Sequence, residues 1–71
     1  MTEIMKIRLL AMVDTELEQV AGMISNETLW MHGSDTQEES QMHVDNIADL
    51  EEYKALLLRM KEQVEEGKFD V

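Results

Sequence analysis

The sequence predicts an all-α fold: an antiparallel helical hairpin that self-associates into a coiled-coil-like four-helix bundle. Three observations lead there. Proline is absent and glycine occurs only at 22, 33 and 67, so helix breakers are few and well separated. Two stretches carry apolar residues at steps of three and four, the spacing of one helical face. With 71 residues and no cysteine, the chain makes a small core without disulfide support, and such chains usually lean on a metal or on other chains.

The first helix is expected over about residues 3–32. Thr2 precedes it as an N-cap, with the acid Glu3 directly after. Ile4, Ile7, Leu10, Val13, Leu17, Val20 and Ile24 form its stripe. Ile7–Val13 also reads as a buried strand, and Thr15-Glu16-Leu17-Glu18 has capping-box form. One helix is preferred, because a lone strand has no partner elsewhere in the chain and the stripe crosses residue 15 in phase. A break near Ser25-Asn26 is the alternative to continuation as far as His32, where Gly33 would be the C′ residue.

A turn is expected at about 33–34, followed by a second helix over about 35–66. Ser34, Asp35 and Thr36 each have Gln or Glu three residues later, so the start is marked but the capping residue stays open. Gly67 stands where a C′ glycine belongs. The stripe is His43, Ile47, Leu50, Tyr53, Leu57, Met60 and Val64. A turn centred at 33–34 sets Leu10 opposite Leu57, Leu17 opposite Leu50, Val20 opposite Ile47 and Ile7 opposite Met60, with Ile4 beside Val64. The whole chain is one domain.

Each helix carries a second apolar strip: Met5, Leu9, Met12 and Met23 on the first, Val44, Ala48, Ala55 and Leu58 on the second, with Leu56 adjacent. One hairpin cannot cover these, and two hairpins can, so these residues are the expected self-association surface.

The net charge is −10. That argues against direct nucleic-acid binding and against docking on an anionic membrane, since both need clustered Lys and Arg. No apolar run approaches the length of a membrane span, and the first residues lack signal-peptide features, so the cytoplasm is expected. The basic residues are Lys6, Arg8, Lys54, Arg59, Lys61 and Lys68. Between Leu9 and Tyr53 there are eleven acids and no Lys or Arg. In a hairpin, Lys6 and Arg8 neighbour Arg59 and Lys61 at the open end, while Glu27, Asp35, Glu38 and Glu39 make the turn end acidic.

Little points to catalysis. There is no cysteine nucleophile, phosphate-binding glycine loop or Gly-x-Ser-x-Gly elbow. Glu51-Glu52 and Glu62, Glu65 and Glu66 superficially resemble the metal-binding acids of all-helical nucleotide pyrophosphatases, but the two facing acid clusters of that family are missing. Gly22-Met-Ile-Ser-Asn-Glu-Thr-Leu29 resembles the mid-segment of the helical-hairpin phosphatases that act on sporulation response regulators. Their Ser-Gln-Glu-Leu-Asp run does not follow, and Ser40-Gln41-Met42-His43 lacks its acids, so that activity is not carried over. His32, Asp35, Glu39 and His43 are ligand-type residues without recognised metal spacing, and no cofactor is expected.

The expectation is therefore a non-catalytic regulator or inhibitor, of the kind phages or mobile elements encode, occupying a surface of a larger, basic-surfaced protein. Its partner-binding candidates are Glu27, Leu29, Trp30, Met31, Asp35, Glu38 and Glu39. Trp30 has two readings, a seal for the end of the core or an exposed anchor. The alternatives are an acidic mimic of nucleic acid that blocks a DNA- or RNA-binding protein, and a structural coiled-coil subunit of an assembly.

Overall fold

The computed structural model describes residues 2–68. Two helices, α1 (Glu3–His32) and α2 (Gln37–Glu65), pack as an antiparallel hairpin 51 Å long. Helices of this length rise about 45 Å at 1.5 Å per residue, so helix length sets the long dimension. No helix among the described residues is long and apolar enough to cross a membrane.

Side chains fix the helix starts. The Thr2 hydroxyl accepts from the Met5 N–H at 3.2 Å, and the Thr36 hydroxyl accepts from the Glu39 N–H at 3.1 Å. Of three candidate caps, Thr36 is thus the one used, and α2 begins at Gln37, slightly later than its expected start. Helix α1 runs unbroken through Ser25-Asn26, and the Thr28 hydroxyl donates back to the Ile24 carbonyl at 2.8 Å.

The two glycines at helix ends behave differently. Gly67 has φ +73, with the Gly67 N–H bonded to the Val64 carbonyl and the Lys68 N–H to the Gln63 carbonyl. This is the left-handed C′ termination expected from the sequence. Gly33 has φ −90 and does not adopt that conformation. The chain reverses through the four residues Gly33, Ser34, Asp35 and Thr36. There the Ser34 hydroxyl donates to the Trp30 carbonyl at 2.8 Å, and Thr36 is extended.

The core is a thin seam. Val13, Val20, Leu57 and Val64 are buried. Leu17, Ile24 and Leu50 are half-buried and pack on the cluster of Val13, Val20 and Leu57. The longer turn shifts the facing register from the expected one: Leu57 packs with Val13 and Val20.

The stripe also needs correction at its ends. Ile4 and Ile7 are exposed, and Lys6 and Leu10 are half-buried in the seam instead. Tyr53 is exposed, while Lys54 and Lys61 are half-buried. The half-buried and buried positions Lys6, Leu10, Val13, Leu17, Val20, Ile24, Glu27 and Met31 alternate steps of four and three. Ser40, His43, Ile47, Leu50, Lys54, Leu57, Lys61 and Val64 do the same on α2. This is a heptad seam with lysines at some of its core positions, their aliphatic stems covering the seam and their ammonium groups reaching out.

Candidate interaction faces

A helix turns about 100° per residue, so Met5, Met12, Met23 and Trp30 line one flank of α1 beside the seam. Glu16 lies on the same flank, and its carboxylate accepts from the Tyr53 hydroxyl at 2.9 Å. Tyr53 shares its flank of α2 with Met42, Leu56 and Met60. The bond therefore joins these two rows into one side of the hairpin. The opposite side is marked by the Lys61–Asp14 ion pair, at 2.9 Å.

The side bearing Tyr53 is apolar and open. Met5, Met12, Met23, Trp30, Met42, Tyr53 and Leu56 are all exposed, Met12 by 67%. Leu9 and Met60 are half-buried at its inner edge. Met42, Tyr53 and Met60 were not among the expected surface residues, and Leu56 was expected only adjacent to the second strip. The signal that finds them is the seam phase: once Lys54 and Lys61 are placed in the seam, these four fall on a flank.

Val44, Ala48, Ala55 and Leu58 are exposed, on the outer and opposite side of α2. The two strips expected for self-association are thus not brought together. The first joins the methionine flank, and the second stands apart from it.

At the turn end, Leu29 is 69% exposed and Trp30 is 56% exposed. In the single hairpin Trp30 is thus more than half exposed and does not seal the seam. Its indole is tilted against the His43 imidazole, with ring centroids 6.0 Å apart. Asp35, Glu38 and Glu39 are exposed.

Glu27 and Met31 face inward. Glu27 is half-buried and accepts from His43 Nδ1 at 2.6 Å, with Asn46 Nδ2 donating to the same oxygen at 3.4 Å. Met31 is half-buried at a seam position. Among the described residues, no three His, Asp or Glu side chains gather as a metal cluster. Glu51, Glu52, Glu62, Glu65 and Glu66 are exposed.

Two groups, exposed Tyr53 and half-buried Lys61, have shifted titrations. The hydrogen bond to Glu16 raises the Tyr53 phenol above its ordinary value, with partial burial and the charge of Glu16 adding to it. The hydrogen bond to Asp14 raises the Lys61 ammonium, helped by the Asp14 charge.

The geometry thus offers one methionine-rich apolar flank and one acidic turn end, with Trp30 where they meet. No family model matches this chain, and no curated protein or solved structure matches it either.

Proposed function

We propose that this chain is a non-catalytic, protein-binding regulator of cytoplasmic setting, which works as a self-associated four-helix bundle and occupies a surface of a larger, basic-surfaced partner. The observation that carries this reading is the exposure of Leu29 and Trp30 beside Asp35, Glu38 and Glu39. A large apolar pair offers contact area and an anchor. The neighbouring acids favour a partner with a basic rim and speed encounter with it.

The test is capture from the native cell with wild-type, Trp30→Ala and Glu38→Lys/Glu39→Lys baits, followed by binding kinetics on the captured protein. The charge reversal should slow association at low salt, and Trp30→Ala should speed dissociation. An association rate unchanged by the reversal at low salt would remove the basic-partner reading.

One observation favours a second reading. Asp35, Glu38, Glu39, Asp45, Asp49, Glu51 and Glu52 are all exposed on the turn and first half of α2, in a stretch without Lys or Arg. Such a density of exposed acids suits imitation of a nucleic-acid backbone. Mimicry requires a complex that high salt dissolves. A complex that resists salt and is lost on mutating apolar residues favours helix packing.

A further inference from the structure

Four apolar residues of the α1 flank, Met5, Met12, Met23 and Trp30, are spaced alike in both directions, with Leu9 and Glu16 on the same side outside that pattern. From Met5 to Met12 is seven residues, from Met12 to Met23 eleven, and from Met23 to Trp30 seven. The row is therefore symmetric about a point between Leu17 and Glu18, which is also the midpoint of α1, Glu3–His32. A two-fold axis there lays α1 antiparallel on α1 of a second copy, with Met5 against Trp30 and Met12 against Met23.

We propose that the occupant of the methionine flank is a second copy of this chain, docked antiparallel about that axis. The proposal rests on the four-helix-bundle reading and adds the face, the orientation and the contacts. Surface area supports a dimer. The hairpin exposes 5409 Å². A compact monomer of 8.2 kDa exposes about 4,500 Å². The excess, about 900 Å², is close to the roughly 800 Å² that each partner contributes to a standard interface.

Charge supports the orientation. Antiparallel docking sets Asp35, Glu38 and Glu39 of one copy near Lys6, Arg8 and Arg59 of the other. Parallel docking would stack acids on acids in a chain that already carries −10. Methionine suits such a face, because it fills the irregular gaps between two copies.

Cysteine scanning tests this directly, since the chain has no cysteine of its own. Met12→Cys and Met23→Cys are made separately in exposed positions, and oxidised alone and as an equimolar mixture. Residues 12 and 23 lie about 16 Å apart along one helix, so neither variant can pair with its own copy in an antiparallel dimer. Covalent dimers should form in the mixture and not in either variant alone. Cross-linking of Met12→Cys with itself would overturn the orientation. No cross-link in the mixture, with a dimer mass by sedimentation, would overturn the face and orientation while the bundle stands. A monomer mass would overturn both.

Discussion

Glu27 and His43 meet across the helix seam near the turn, with Glu27 Oε2 accepting from His43 Nδ1 at 2.6 Å. They occupy core positions of the heptad, where a polar pair contributes little net stability but fixes register. Glu27→Ala leaves a half-buried imidazole without its acceptor and should cost about 1 kcal/mol. Glu27→Leu/His43→Leu removes both partners and should recover most of that loss or exceed the wild type. Thermal melts of single and double variants check this. Independent, additive losses would show that the pair is not coupled.

The seam is thin, so each buried residue matters. Val20 is 1% exposed, and Val20→Asp should abolish the fold as read by circular dichroism, because a buried unpaired carboxylate is costly. Leu57→Ala should cost about 2–4 kcal/mol by lost burial and the cavity left behind. Near-wild-type melting of both variants would place the seam elsewhere.

The fold class, the caps at Thr2 and Gly67 and most of the apolar seam were legible from periodicity and capping chemistry. The ends of the stripes were not, and lysine is the reason. Lys6, Lys54 and Lys61 hold seam positions through their aliphatic stems, with Lys61 Nζ reaching Asp14 and Lys6 Nζ reaching the Glu65 carbonyl. An apolar count passes over them in favour of Ile7, Tyr53 and Met60, and the phase of the flank shifts with it. Glu27 was hidden similarly: its charge suggested a surface, and its partner His43 lies on the other helix.

The three glycines give contrasting expectations. Gly22 lies inside α1 with open space where a Cβ would stand, so Gly22→Ala should stabilise by about 0.5–1 kcal/mol. Gly67 has φ +73, and Gly67→Ala should destabilise by about 1 kcal/mol. Gly33→Ala should be close to neutral, since φ is −90 and the added Cβ makes ordinary contact with the Leu29 carbonyl oxygen at 3.6 Å. A large loss at Gly33 would mean that the turn needs left-handed backbone there.

Alkaline pH probes the two bonds that mark the sides of the hairpin. Tyr53 and Lys61 both titrate above their ordinary values of 10.0 and 10.5 in the folded chain. The folded state then holds protons that the unfolded state has released. Their contribution is thus complete below about pH 10 and declines as pH rises through the folded values. Melting temperature should fall above pH 10, and Tyr53→Phe should make that fall shallower. Tyr53 is exposed and Lys61 only half-buried, so solvent screening keeps the effect small. An identical alkaline slope in Tyr53→Phe would remove the Tyr53–Glu16 bond from the description.

Sedimentation equilibrium of the purified chain at micromolar concentration, paired with melts across a concentration series, bears most directly on self-association through the methionine flank. Wild-type protein should sediment at twice 8.2 kDa and melt at a temperature that rises with concentration. Trp30→Ala, which removes one end of the docking row, should weaken the dimer and shift the concentration dependence to higher concentration. A monomer mass at every concentration, with a cooperative and concentration-independent melt, would contradict it.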